Sequence, residues 1–109
     1  MLQKRYRLKT NDIKFVAFKG KKISSELFDL RIWTDNNLPN PVMTISISTK
    51  ISKKAHVRNR IKRLFREAFR NLIEEKKLKL GKYLVVVKSA KLEEMKSGEV
   101  KELVAGLLK

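Results

Sequence analysis

The chain has 109 residues, 42% of them apolar, with 27 Lys and Arg against 11 Asp and Glu, a formal net charge of +16 and no cysteine. This length predicts one domain, residues 1–109, around a single modest core, and the missing cysteines exclude a disulfide framework or a thiolate metal site. The charge says nothing about fold but selects partners, because such a field attracts polyanions, nucleic acid foremost, and repels other copies of the chain.

In chain order, residues 1–9 are predicted to form a mobile basic arm, and they lack the apolar run of a signal peptide. Thr10, Asn11 and Asp12 are placed to cap a short helix that runs to about Phe18 and is ended by Gly20. Its inward positions are Ile13, Val16 and Ala17, with Phe15 and Phe18 beside them. Residues 26–33 alternate, with Phe28, Leu30 and Ile32 on one face and Asp29, Arg31 and Trp33 on the other, the pattern of a half-buried strand. Residues 35–41 hold Asp, Asn and Pro and read as a loop. A second alternating strand spans 42–48, with Met43, Ile45 and Ile47 opposed to Val42, Thr44, Ser46 and Ser48, and it is placed to pair with the first as a hairpin. A long helix is predicted over 56–77, stopped by Gly81. The unbroken apolar run from Tyr83 to Val87 predicts a fully buried strand. Ser97 is placed to cap a final helix with Val100, Leu103, Val104 and Leu107 inward. The order α-β-β-α-β-α predicts an α+β fold, a single small sheet packed against helices.

The segment 50–70, KISKKAHVRNRIKRLFREAFR, carries the most information. Val57, Ile61, Leu64, Phe65, Ala68 and Leu72 keep helical spacing and form one apolar stripe. Arg58, Asn59, Lys62, Arg63, Arg66 and Arg70 fall on the opposite side. Arg58, Lys62, Arg66 and Arg70 are successive i, i+4 neighbours of like charge, which destabilises an isolated helix by about 0.2–0.5 kcal/mol per pair. A bound polyanion removes that penalty, so phosphate is the natural partner of this row. Asn59 is a poor helix former on a helix surface and is read as an amide that contacts a base edge or sugar, ahead of a role in bonding local backbone at the helix start.

Hydrolytic machinery is missing from the sequence. His56 is the only histidine, Glu74-Glu75 and Glu93-Glu94 are adjacent and so point to different helix faces, and there is no DxD, HExxH or glycine-rich phosphate loop. No catalytic residue and no metal site is assigned to this chain.

Arg58-Asn59-Arg60, followed by Ile61-Lys62-Arg63, Arg66-Glu67 and Arg70, resembles the RNR signature of the bacterial ribonuclease P protein subunit, with Lys50, Lys53, Lys54, Ala55 and His56 fitting the loop that leads into it. The resemblance runs from about Arg7-Leu8 to the last helix. It implies that the RNR helix joins two parallel strands in a left-handed crossover, against the usual hand. It also implies a function: with a catalytic RNA, removal of the 5′ leader of precursor tRNA by endonucleolytic hydrolysis, the chemistry and its Mg²⁺ residing in the RNA. In this reading Lys50, Lys53, Lys54, Arg58, Asn59, Arg60, Lys62, Arg63, Arg66 and Arg70 grip the catalytic RNA, while Phe15, Phe18, Arg31, Trp33, Thr44 and Ser46 line a cleft for the leader. The family often has Phe at the position of Ile13, aromatic character near Ala17, glycine at Thr44 and lysine at Thr49, so the leader contacts depart from the family pattern here. The implied partners are the catalytic RNA and precursor tRNA, with no membrane, no obligate protein partner and a cytoplasmic location. The competing reading is a ribosomal-protein-like domain that binds structured RNA without any part in cleavage.

Overall fold

The computed structural model describes residues 4–108. Four strands, β1 (Lys21–Ser24), β2 (Phe28–Thr34), β3 (Val42–Ser46) and β4 (Gly81–Val87), form one mixed sheet in the order β1-β2-β4-β3. Three helices, α1 (Thr10–Lys19), α2 (Ala55–Glu74) and α3 (Ser97–Leu107), pack against it, and short 3-10 turns span Lys4–Tyr6 and Ala90–Glu94. The architecture is the α+β one that the element order predicts.

The predicted hairpin of the two alternating strands does not form. β4 inserts between them, antiparallel to β2 with Leu30 opposite Val85, and parallel to β3 with Ile45 opposite the same Val85. The physical reason lies in β4 itself. Tyr83, Leu84, Val85 and Val87 are almost fully buried, and a strand that is apolar on both faces needs cover on both and pairing along both edges. The central place supplies all of this, and α2 becomes the crossover between parallel β3 and β4. β1 has only Ile23 as an apolar residue in Lys21–Ser24, so it shows no periodicity and is not legible in the sequence. It is an edge strand held by its pairing with β2.

Alternation sorts the two faces. Phe28, Leu30, Met43, Tyr83, Val85 and Val87 meet Val57, Ile61, Leu64, Phe65, Ala68, Phe69 and Leu72 of α2 and Val100 and Val104 of α3. Phe65 stacks edge-on against Phe28 at 5.0 Å and Phe69 against Tyr83 at 5.8 Å between centroids. Each such side chain contributes roughly 1.5–3 kcal/mol of burial, which far exceeds the roughly 0.2–0.5 kcal/mol of repulsion per i, i+4 pair on the far side of α2. Packing on the sheet therefore makes the helix, despite its charge. On the other sheet face a smaller cluster, Leu8, Val16 and Leu84 with Ile13, Ala17, Val42 and Val86, holds α1.

Several boundaries differ from the sequence reading. α1 has no side-chain cap from Thr10, Asn11 or Asp12; its N-cap is Lys9. Gly20 does end it, donating to the Val16 carbonyl at 2.9 Å, and a Cβ there would sit 2.5 Å from that same oxygen. α3 starts at Ser97 with Lys96 as N-cap, and the Glu99 carboxylate accepts from the Lys96 N–H at 3.0 Å. Leu103 of α3 is 39% exposed, not inward. The arm expected over 1–9 falls partly outside the described residues, at 1–3. Beyond them the chain lies along β3, where Arg7 bridges Met43, Leu8 donates to the Met43 carbonyl at 2.9 Å, and the Leu8 side chain is buried.

α2 is stopped before Gly81, by Lys76 in the left-handed region at φ 56°. Lys76 donates to the Ile73 carbonyl and Lys77 to the Leu72 carbonyl, both at 3.0 Å, which is the paired closure of a Schellman turn. An L-residue there costs roughly 1–2 kcal/mol relative to glycine's freedom. Lys76→Gly is expected to raise stability by about 1 kcal/mol, read as a higher urea midpoint with unchanged slope. A lower midpoint would show that the lysine side chain supports the turn.

Candidate nucleic-acid interface

α2 and the loop before it build the cationic surface. Lys50, Lys53 and Lys54 lie exposed in the β3–α2 loop, which is shaped by Ser48 and Ser52 hydroxyls accepting from the Lys50 and Lys54 backbone N–H groups at 3.0 and 3.2 Å. On α2, Asn59, Arg60, Arg63 and Arg70 are exposed, while Arg58, Lys62 and Arg66 are half-buried on the flank of the apolar stripe. The stripe is wider than the spacing alone indicated, because Phe69 is also fully buried.

Three of these side chains have intrachain partners. Arg58 Nη1 donates to the Ser52 carbonyl at 2.8 Å and so pins the loop to the first turn of the helix. Arg60 Nε donates to the Glu93 carbonyl at 2.8 Å, tying α2 to the 3-10 turn before α3. Arg70 stands 3.7 Å from Glu67, an exposed pair of little strength. The side chains of Lys50, Lys53, Lys54, Lys62, Arg63 and Arg66 carry no ion pair or hydrogen bond among the described residues. A guanidinium has several N–H donors, so Arg58 and Arg60 keep donors for a phosphate while holding the scaffold. The arrangement is a rigid helix with an uncompensated cationic side and a braced, lysine-rich entry loop.

The six residues expected to line a leader cleft do not form one patch. Trp33, Lys82 and Val42 share one row across the α1 side of the sheet, Arg31, Leu84 and Thr44 the next, and Asp29, Val86 and Ser46 the third. Trp33 and Ser46 are thus four residues apart along the strands, about 13 Å. Phe15 packs edge-on against Trp33 at 4.7 Å between centroids. Phe18 is 86% exposed. Arg31 donates through Nη1 to the Ala17 carbonyl, so its guanidinium is engaged in fastening α1 to the sheet. Thr44 and Ser46 leave a polar stretch on β3, the edge strand opposite β1.

Sequence reasoning missed Asp29, the one buried charged side chain among the described residues. Lys88 Nζ stands 2.7 Å from Oδ1 and Lys22 Nζ 3.7 Å from Oδ2, and Lys88 also donates to the Ser25 carbonyl at 2.9 Å. Burial raises the Asp29 pKa, but hydrogen bonds from Lys88 and Ser24 and the charges of Lys88 and Lys22 outweigh it and leave the pKa below its usual value. A carboxyl with a depressed folded pKa contributes stability that is present above its unfolded value, near 3.8, and is lost as pH falls through the folded value. Stability is therefore expected to fall below about pH 4, and Asp29→Asn should flatten this acid-side loss in urea titrations run from pH 6 to 2. An unchanged acid limb in the variant would remove Asp29 from the account.

A cationic helix backed by a four-stranded mixed sheet, with Lys62, Arg63 and Arg66 of its basic row unpaired among the described residues, defines a small α+β RNA-binding protein. The model of the Ribonuclease P family matches residues 2–109, and the chain belongs to that family. It is similar to the ribonuclease P protein component of Bacillus cereus (strain B4264), 35% identical over 102 residues, covering 93% of this chain and 86% of the relative. It is also similar to the protein of that name from Legionella pneumophila (strain Lens), 45% identical over 64 residues, 59% of this chain and 55% of the relative. The match thus spans about half the length of the Legionella relative. The ribonuclease P protein from Thermotoga maritima superposes with a TM-score of 0.76 at 28% identity, covering 94% of each chain. A Staphylococcus aureus ribonuclease P protein shares the fold at a TM-score of 0.76 and 22% identity, covering 94% of this chain and 92% of that one.

Proposed function

We propose that this chain is the RNA-binding subunit of a ribonucleoprotein endoribonuclease that removes the 5′ leader from precursor tRNA. The observation that carries the reading is the cationic row of α2, with Lys62, Arg63 and Arg66 unpaired among the described residues, set in the RNR block of a chain that matches the family over nearly its whole length. The loop lysines and α2, Lys50, Lys53, Lys54, Arg58, Asn59, Arg60, Lys62, Arg63, Arg66 and Arg70, hold the catalytic RNA through phosphates. Bringing this charge to a folded polyanion lowers its self-repulsion and the Mg²⁺ concentration it needs. The α1 side of the sheet takes the single-stranded leader, which favours precursor over mature tRNA.

The RNA supplies the chemistry and holds the Mg²⁺ in this reading. Among the described residues no three His, Cys, Asp or Glu side chains are grouped to hold a metal ion. Asp29, the one buried carboxylate, is instead occupied by two lysines. Among the same residues no helix is long and apolar enough to cross a membrane. We place the assembled particle in the cytoplasm, with residues 1–109 acting as one domain.

The test is reconstitution at low Mg²⁺. The purified chain alone is expected to leave precursor tRNA intact. Added to a bacterial ribonuclease P RNA, it is expected to restore cleavage at the 5′ junction and to discriminate precursor from mature tRNA. Specific 5′ cleavage by RNA-free protein would sink the assignment of chemistry to the RNA. Tight RNA binding without any stimulation of cleavage would favour the ribosomal-protein-like reading.

A further inference from the structure

α1 is apolar on two sides. Its inward side holds the fully buried Val16, with Ile13 and Ala17 beside it in the cluster of Leu8 and Leu84. At about 100° per residue, Asn11, Lys14, Phe15 and Phe18 share an arc of about 100° on the side opposite Val16. Phe15 and Phe18 are i, i+3 neighbours on that arc, about 5–6 Å apart at Cβ. Phe18 is 86% and Phe15 40% exposed, and Trp33, 37% exposed, meets Phe15 edge-on and carries the patch onto β2. The core does not use this second apolar side. Lys14 and Lys19 flank it, both exposed and without an ion pair or hydrogen bond among the described residues. The nearby acids are already engaged, Asp12 by Lys82 at 3.3 Å and the buried Asp29 by Lys88 at 2.7 Å, so the ridge stays cationic. It is also convex, because the groove at the start of α1, lined by Arg5, Thr10, Asn40 and Lys82 among others, includes none of the three rings.

We propose that the outer side of α1 is a membrane-surface contact, which seats Phe18, with Phe15 and Trp33 beside it, at the headgroup level of an anionic bilayer. A protruding ring needs a soft partner that closes around it, and a lipid surface supplies one without a shaped pocket. Lysines beside such rings bury their stems and carry their ammonium groups to the lipid phosphates. Ten residues make α1 about 15 Å long, so it lies on the bilayer and does not span it. α1 and α2 pack on opposite faces of the sheet, so α2 with its basic row stays on the side away from the bilayer and open to RNA. The family resemblance implies no membrane partner, and this ridge is the observation that departs from it. The proposal stands independently of the RNA-binding reading.

A chain of net charge +16 is drawn to any anionic surface, so the deciding readout is ring insertion and not adsorption. Trp33 is the only tryptophan, so the full chain with Trp33→Phe and Phe18→Trp carries a single reporter at the tip of the ridge. It is mixed at physiological salt with vesicles of equal parts phosphatidylglycerol and phosphatidylcholine, with plain or brominated acyl chains. Its emission is expected to move to shorter wavelength and to be quenched by the brominated lipid. Phe18→Ser in the parent chain, at a position too exposed to disturb folding, is expected to lower vesicle partitioning about tenfold or more. Lys14→Ala and Lys19→Ala are expected to lower it about fivefold each. Replacing Arg63, Arg66 and Arg70 by alanine is expected to leave the quenching in place. Equal partitioning of the parent and Phe18→Ser, with no quenching by brominated lipid, would mean adsorption by charge alone and would overturn the proposal. Weakened binding of a ribonuclease P RNA or precursor tRNA by Phe18→Ser, without lipid insertion, would give the ridge to RNA and overturn it equally.

Discussion

Replacing Arg63, Arg66 and Arg70 together by alanine is expected to abolish most of the affinity for the catalytic RNA. Arg63 and Arg70 are exposed and Arg66 half-buried at the flank of the stripe, and Arg63 and Arg66 are unpaired among the described residues, so in the proposed interface the substitution removes phosphate contacts and leaves the core alone. A charged hydrogen bond contributes about 1.5–3 kcal/mol, and three of them at the lower bound correspond to roughly a thousandfold weaker binding. The salt dependence is the sharper readout. Each lost phosphate contact lowers the slope of log affinity against log salt by about 0.7–0.9, so the triple variant should be flatter by about two to three units. Its folding stability should be unchanged or slightly higher, because like charges four apart on a helix repel. Filter binding across a salt series checks this. A slope equal to the parent's would mean that the row does not touch phosphate.

Phe65→Ala is expected to remove most of the fold's stability. Phe65 is fully buried and stacks edge-on on Phe28, between α2 and β2. Truncating a buried phenylalanine costs about 3–5 kcal/mol through lost burial and the cavity left behind, against a total of about 5–15 kcal/mol for a domain of ordinary stability. Urea unfolding at neutral pH measures it, and RNA binding at low temperature shows whether the remaining folded fraction still presents the α2 row. A loss below about 1 kcal/mol would show that neighbouring side chains close the gap. The two variants separate the two sides of one helix: the first loses RNA with the fold intact, the second loses the fold first.

The amphipathic elements were legible because each carries its own period. The α2 stripe, the alternation of β2 and the burial of β4 follow from residues that alternate or repeat within one segment, and the structure places Phe28, Leu30, Ile61, Phe65, Tyr83 and Val85 inside as that reading requires. β1 was not legible, since Lys21–Ser24 has one apolar residue and is a strand only because β2 offers it an edge. The end of α2 is not legible in the sequence for a similar reason. Glycine is the usual residue for a left-handed closure, and here Lys76 adopts it with its backbone bonded to Leu72 and Ile73.

The candidate site divides in the same way. By itself the sequence determined the charge and the exposed part of the cationic side of α2, because helical geometry fixes which residues of one helix share a side, whereas Arg58, Lys62 and Arg66, read as opposite the apolar stripe, lie half-buried on its flank. Only the tertiary structure decided what joins segments distant in the chain. It put β4 between β2 and β3, engaged Arg58 with Ser52 and Arg60 with Glu93, buried Asp29 between two lysines, turned Arg31 to the Ala17 carbonyl and set Phe15 on Trp33 away from Ser46. The physical reason is that local periodicity reports the direction of a side chain relative to its own backbone. Which partner it meets depends on how the sheet and helices satisfy burial and hydrogen bonding together, and that is a property of the whole chain.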